Sequence, residues 1–510
     1  MQKQASATCI NTSSTEGSFT CSCNLGYGGN GTLCSDVDDC EVSTTVLQIA
    51  ASPTQEKACA LLKPGYIKCW GDGSDGTLGQ GNLEAIGDEA GEMGGNLPSI
   101  DLGVGRTAVS ISLQGDTACA LLDNGSAKCW GYNGDGQLGY GDYDNRGDNS
   151  DEMGDYLPAI ELGGTVKSVC AGSQHACALL DNGSVKCWGT NADGELGQGD
   201  TDERPGLYPD DMGDNLPTVD LGPGLTAVSI SVSYSTCAVL NDGNVKCWGP
   251  NYKGRLGQGD LHQRGSGVNQ MGINLPAIDL GAGRTAKSIS VGPCHVCAVL
   301  DNGSLKCWGC NGDGQLGQGD TNNRGDNADE MGDDLPAIDL GAGRSAESIC
   351  TSEYGTCAVL DDGSVKCWGN NWAGQLGQGD TLDRGGSTGQ MGDALPAIDL
   401  GAGRTALSVV CSAYFSCALL DDGQMVKCWG GYGSGELGLG NTESQTVMGE
   451  ALVPVELVGE LTVCEVRPWG CKPVCEVISV CEWGADQVAW LMEGKVGGVW
   501  RVGAWWRLRG

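Results

Sequence analysis

Cysteine is the residue of this chain with the most chemistry to offer, and there are 28 of them in 510 residues. Cys59 and Cys69, Cys119 and Cys129, Cys177 and Cys187, Cys237 and Cys247, Cys297 and Cys307, and Cys357 and Cys367 stand ten residues apart around a glycine-containing turn. Cys417 and Cys428 stand eleven apart, with an extra residue in "DDGQM" that calls for a wider or bulged turn. Zinc asks for four ligands in close clusters, and redox catalysis for C-x-x-C at a helix start; two cysteines ten residues apart around a turn provide neither. In "CALLDNGSVKC" the flanking strands can pair so that Cys177 lies opposite Cys187, with Asn182 at the tip and Gly183 free to take a left-handed conformation. Opposed residues of an antiparallel pair have Cα atoms about 4.5 to 5.5 Å apart, which suits a disulfide. Each pair is therefore expected to be a cross-strand staple, with buried free thiols as the rival reading. Cys294 and Cys310 stand three residues outside Cys297 and Cys307, so the same register predicts an eighth blade disulfide on the other sheet face.

The elements that must hold these pairs recur. The segment "KCWG" places Trp70, Trp130, Trp188, Trp248, Trp308, Trp368 and Trp429 at intervals of 58 to 61 residues, which defines seven units. Each unit carries short β-like runs, represented by "LPAIDL", "AKSIS", "CAVLD" and "SLKCW", with glycine-rich turns between them. One such four-stranded sheet cannot cover its own faces. Seven packed radially cover one another, so the expected fold is all-β, a seven-bladed β-propeller of four-stranded blades over residues 44–458. The tryptophans then read as packing residues.

"HACALLDNGSVKCWGTNADGELGQGD" from His175 and "HVCAVLDNGSLKCWGCNGDGQLGQGD" from His295 resemble the repeat of the regulator-of-chromosome-condensation superfamily. That resemblance implies a propeller. Its namesake's activity, guanine-nucleotide exchange on a small GTPase, is the alternative function. The units are longer than the family repeat, because each carries an insert such as "RGDNADEMGDDLPAIDLG" that should lengthen the loops on one face. The ultraviolet-sensing plant branch fits less well, since "GWRHT" is absent. Residues 1–40, with "CINTSSTEGSFTCSCNLGYGGNGTLCSDVDDC", resemble part of a small disulfide-rich, calcium-binding, epidermal-growth-factor-like module. The resemblance implies that Cys23 pairs with Cys34 and that the partners of Cys9 and Cys21 lie upstream of Met1. It also implies calcium as cofactor, with Asn11 as a ligand and Asp36, Asp38 and Asp39 opening a following module. A sequence truncated at its N-terminus, with its signal peptide upstream, is the expectation. Residues 459–510 hold six of the 14 tryptophans and read as an irregular, disordered tail.

The remaining motifs favour the plainer reading. A formal charge of −36 opposes nucleic acid and anionic membranes and favours neutral or cationic partners. No apolar run reaches the roughly 20 residues of a membrane span. Arg146-Gly147-Asp148 and Arg324-Gly325-Asp326 spell RGD, yet equivalent units read "RPGL", "RGSG" and "RGGS", so loop architecture explains them. "GDNADEMGDD" lacks the spaced ligands of a calcium loop. Of three histidines, His175 and His295 share a repeat position that Thr117, Ser235, Gly355 and Phe415 hold in other units, so no acid or base recurs and an enzyme is not expected. Cys170, Cys350 and Cys411 form a second set, taken to occupy the place of Ser112, Ser231 and Ser290 near the propeller axis. Asn124, Asn182 and Asn302 head N-x-S sequons open to glycans on export. The cysteine density points to an oxidising compartment. The expected function is an extracellular or cell-surface scaffold whose loops bind a protein or glycan.

Overall fold

A computed structural model describes residues 45–204, 211–431 and 433–458, together with backbone strands at Ala7–Asn11, Phe19–Cys23, Trp490–Val496 and Val499–Ala504. The first two of these strands pair antiparallel with Cys9 opposite Cys21, and the last two form a separate hairpin. Ser43–Val458 is one compact unit.

That unit holds seven antiparallel sheets of inner, middle and outer strand in sequence order. Blade 1 is Val46–Ala51, Lys57–Leu62 and Tyr66–Gly71; blade 2 is Ala108–Gln114, Thr117–Leu122 and Ala127–Gly131. Blade 3 is Val166–Ala171, His175–Leu180 and Val185–Gly189; blade 4 is Ala227–Val232, Thr236–Leu240 and Val245–Trp248. Blade 5 is Ala286–Val291, His295–Leu300 and Leu305–Gly309; blade 6 is Ala346–Thr351, Gly355–Leu360 and Val365–Gly369. Blade 7 is Ala406–Cys411, Phe415–Leu420 and Val426–Gly430.

The blades have three strands, not four. "LPAIDL" stays extended but forms no ladder: Ile278 N–H donates to Val245 O, and Gly249 bridges Arg264, so the outer edge is closed at isolated points. Proline at its second position has no N–H to give, which removes one rung from a segment too short to spare it. The segment also belongs beside the outer strand of the blade before it, which leaves the inner strand as the first of each sheet.

Middle strands are buried along both faces, and alternation sorts their side chains between two neighbours. Cys177, Leu179, Val185 and Cys187 of blade 3 pack with Ala238, Leu240 and Trp248 of blade 4. The same arrangement closes the ring, where Cys417, Leu419, Val426 and Cys428 of blade 7 meet Ala58, Ala60, Leu62 and Trp70 of blade 1. One face of a blade therefore presents the sulfur pair, and the next blade answers with alanine and indole.

Each indole also spans the seam by hydrogen bond. Trp130 Nε1 donates to Thr77 O, Trp188 to Gln137 O, Trp248 to Glu195 O, Trp308 to Arg255 O, Trp368 to Gln315 O and Trp429 to Gln375 O, all at 2.9–3.0 Å. Trp70 completes the circle on Glu436 O at 2.9 Å. These seven bonds are buried, so Trp188→Phe, which keeps most of the volume and orphans the Gln137 carbonyl, is expected to cost about 1–3 kcal/mol. Denaturant unfolding with an unchanged m-value checks this.

Candidate functional site

The paired cysteines sit at the centre of the middle and outer strands. The structure joins Cys59–Cys69, Cys119–Cys129, Cys177–Cys187, Cys237–Cys247, Cys297–Cys307, Cys357–Cys367 and Cys417–Cys428, with Cα atoms 4.0–4.1 Å apart. In blade 2 the backbone N–H and C=O of Cys129 point outward, to the Tyr140 hydroxyl at 3.0 and 2.9 Å. Cys119 and Cys129 are thus a non-hydrogen-bonded pair, the closer of the two antiparallel spacings. Gly183 takes φ +82°, and the longer turn of blade 7 is closed by Leu420 N–H on Met425 O. Cys294 and Cys310 are joined as well, where the ladder continues through Cys310 N–H to Cys294 O. Blade 5 consequently does contain C-x-x-C, at Cys294/Cys297 and Cys307/Cys310, but in and at the ends of strands and bonded across the sheet rather than within the motif.

The second cysteine set needs correcting. Cys170 and Cys350 lie opposite Cys177 and Cys357, but Cys411 lies opposite Ser416, one residue further along, and so faces the other way. That slip brings Cys411 of blade 7 back toward Cys350 of blade 6, and the two are joined with Cα atoms 5.9 Å apart. The same inner-strand positions meet elsewhere by hydrogen bond: Ser112 Oγ accepts from Ala171 N–H, Ser231 Oγ from Val291 N–H, and Ser290 Oγ lies 2.9 Å from Thr351 Oγ1. Cys170 is the free thiol among the described residues, with burial pushing it up to about 12. These side chains line an axial cavity of about 230 Å³.

His175 and His295 are wholly buried and sit 2.8 and 2.7 Å from Thr236 Oγ1 and Thr356 Oγ1 of the next blade. Burial lowers both to about 3, so they are neutral linkers across a seam. The RGD arginines turn into their own loops: Arg146 Nη2 lies 2.5 Å from Asp142 Oδ2, and Arg324 Nη2 lies 2.6 Å from Asp320 Oδ2. Gly147 packs where a Cβ would meet Gly76 O at 2.7 Å. In the acidic insert, Glu330 Oε2 accepts from the N–H groups of Gly325 and Asn327, so that carboxylate closes the loop, while Asp329, Asp333 and Asp334 are exposed. Asn124, Asn182 and Asn302 are exposed at turn tips, where each Oδ1 accepts from the serine N–H two residues on. The side chains of Asn11 and Cys23, and residues Cys34, Asp36, Asp38 and Asp39, lie outside the described residues.

Two sets of residues gave no warning in the motif reading. The lysine of every "KCWG" is buried, and each donates to the glycine carbonyl of the "MG" in its insert: Lys68 to Gly94, Lys128 to Gly154, Lys186 to Gly213, Lys246 to Gly272, Lys306 to Gly332, Lys366 to Gly392 and Lys427 to Gly449. Burial lowers the pKa of each of these lysines. The glycines need φ of +63° to +74°, which explains their residue type. Lys68 also reaches Leu457 O at 2.7 Å, tying the end of the propeller to its first blade. The second set is aromatic. Arg255 Cζ lies 5.8 Å from the Tyr234 ring centroid and 5.9 Å from that of Tyr252, and Trp372 meets Tyr414 edge-on at 5.5 Å.

Residues 109–137, 166–195, 286–315 and 347–375 match the regulator of chromosome condensation (RCC1) repeat, as do 124–179. These stretches of the chain are similar to that repeat. The RCC1 matches fall on blades 2, 3, 5 and 6 of the ring. The chain is 29% identical over 343 residues to the ultraviolet-B receptor UVR8 of Arabidopsis thaliana, covering 66% of this chain and 68% of that protein. It is 29% identical over 283 residues to the human E3 ubiquitin-protein ligase HERC2, covering 55% of this chain but 5% of the ligase. Prp20p of Saccharomyces cerevisiae, whose structure was described with its binding properties to Gsp1p and histones, superposes with TM-score 0.54 at 19% identity over 83% of this chain and 89% of that one. Human WBSCR16 gives 0.53 at 17% identity over 73% and 86%. At these identities the likeness to the two structures is one of fold alone.

The geometry yields three expectations. Peptide mapping without reduction should recover Cys177 linked to Cys187, and alkylatable thiols at both would contradict the staple. Lys306→Met should cost about 1–3 kcal/mol and expose residues 325–334 to proteolysis before global unfolding. For the histidines, the unfolded chain binds protons near pH 6.5 and the folded one near 3, so stability is complete above the first value and falls as pH drops toward the second. In that window each contributes a slope of about 1.4 kcal/mol per pH unit, and His175→Thr with His295→Thr, borrowing the residue of Thr117, should flatten the curve measured by unfolding from pH 7 to 4.

Proposed function

We propose that this chain is a non-enzymatic binding scaffold of the extracellular space or cell surface, recognising a protein or glycan through the loops of a rigid propeller. The observation that carries the reading is a disulfide across every blade, buried in the seam against the next. Such bonds persist in oxidising compartments and are rare in reducing ones. Exposed acids at the rims of the inserts and the charge of −36 favour a cationic partner. The long inserts, tied beneath by the lysine bonds, hold that surface in place. Among the described residues no helix is long and apolar enough to cross a membrane.

Nucleotide exchange on a small GTPase is the second reading, supported by the likeness to Prp20p and its described binding to Gsp1p. Expression of the full chain through the secretory pathway and in a reducing cytosol separates the two. The scaffold reading expects folded, alkylation-resistant protein in the first case only, with no acceleration of GDP release from a small-GTPase panel. Folded cytosolic protein with free blade thiols that speeds GDP release would replace it with the exchange reading.

A further inference from the structure

The internal repeat supplies a comparison between two seams at the same mouth of the ring. In blade 4, Tyr234 from the turn before the middle strand and Tyr252 from the loop after the outer strand flank the guanidinium of Arg255 at 5.8 and 5.9 Å. Arg255 Nη1 donates to Pro293 O of blade 5 at 2.7 Å, and the carboxylates of Asp193 and Glu195 in blade 3 act on its charge. Tyrosine faces attract a guanidinium through the ring quadrupole. Lys253 Nζ also lies 5.4 Å from the Tyr252 centroid, so this loop pair is already filled by the chain's own cations, with Arg255 the one shared between both rings.

Blade 6 repeats that construction 120 residues later without the arginine. Tyr354 stands in the place of Tyr234, Trp372 in that of Tyr252, Asp313 in that of Asp193 and Ala413 in that of Pro293. The cation position is Gln375, whose Nε2 donates to Ala413 O at 3.0 Å and thus keeps the seam contact of Arg255 while remaining neutral. A third ring is added, Tyr414, edge-on to Trp372 at 5.5 Å and 75°. Trp372 is 47% exposed, whereas the seven "KCWG" tryptophans are buried. Of the two acids beside Arg255, one is kept and one is lost: Gln315 stands in the place of Glu195, while Asp313 accepts from Asn370 Nδ2 at 3.2 Å, and burial raises its pKa above the usual carboxylate value. Glu353 and Asp313 both act on the Tyr354 phenol.

We propose that the rings of Tyr354, Trp372 and Tyr414, with Asp313 and Glu353, form a recognition site for an arginine side chain presented by a partner protein. The guanidinium would take, from outside, the role that Arg255 fills from within at blade 4. A planar, weakly hydrated cation suits ring faces better than a compact ammonium does, which separates arginine from lysine as the occupant. The inference rests on the scaffold reading for the nature of the partner, while the site itself stands on the comparison of the two seams.

The test uses the full chain and three capped tripeptides, Gly-Arg-Gly, its lysine counterpart and its citrulline counterpart, the last being isosteric with arginine and uncharged. Ligand-observed NMR should give the arginine peptide at least tenfold tighter binding than citrulline and clearly tighter binding than lysine. Trp372→Ala should weaken the arginine peptide at least fivefold in a chain that stays folded by its far-ultraviolet spectrum. Gln375→Arg should abolish it by supplying the site's own cation; if that variant does not fold, the citrulline comparison and Trp372→Ala still decide. Equal binding of arginine and citrulline, preference for lysine, or indifference to Trp372→Ala would overturn the proposal. Arginine binding by a chain that also accelerates GDP release would remove the scaffold reading and leave this site standing.

Discussion

A propeller of three-stranded blades can close only if each seam is filled the same way, and here one hydrogen bond sets that condition. The indole N–H of each blade donates to a backbone carbonyl of the blade before it, and the seventh donor returns to the last blade through Trp70 and Glu436. A backbone carbonyl cannot be moved without moving the loop that carries it, so the bond fixes both the tilt of a blade and the position of its neighbour's loop. The volume rule follows. Facing alanines at Ala176 and Ala178 leave room for Cys119 and Leu121, and the indole fills what the alanines do not.

Much of this could be read in the sequence, because side chains and turns repeat visibly. The unit length, the glycine turn, the opposition of Cys177 and Cys187 and the tryptophan after it all depend on spacing along a single hairpin. What could not be read depends on partners that have no side-chain signature. The "KCWG" lysines answer to glycine carbonyls, and a carbonyl looks the same in any sequence. "LPAIDL" has a strand-like pattern, yet its proline withholds a rung and its neighbour lies in the previous blade. Cys411 was misplaced by one residue because an inner strand of small residues has no landmark to set its register, and one step is enough to reverse a side chain. The aromatic group of Tyr354, Trp372 and Tyr414 spans two blades, so no local window contains it.

The matches to RCC1 repeats and the fold shared with Prp20p and WBSCR16 describe the frame, and the frame leaves function open. Function is to be sought in what the frame carries. Each blade has a sulfur pair where strand meets strand, each insert is anchored from below by a buried ammonium, and the loops at one mouth differ from blade to blade in aromatic content. The buried histidines belong with the first group: they join blades and leave chemistry to the surface.

The bond between Cys350 and Cys411 differs in kind from the hairpin staples, since it joins neighbouring blades across 61 residues. If the chain is drawn out by its ends, a staple with a separation of ten residues withholds little length. The lap between blades 6 and 7 withholds roughly 200 Å at full extension, a length no tension on the backbone releases while the bond is intact. Under load the middle and outer strands of blade 6 and the inner strand of blade 7 would thus stay out of the path of the force, with the slack in the custody of a reductant.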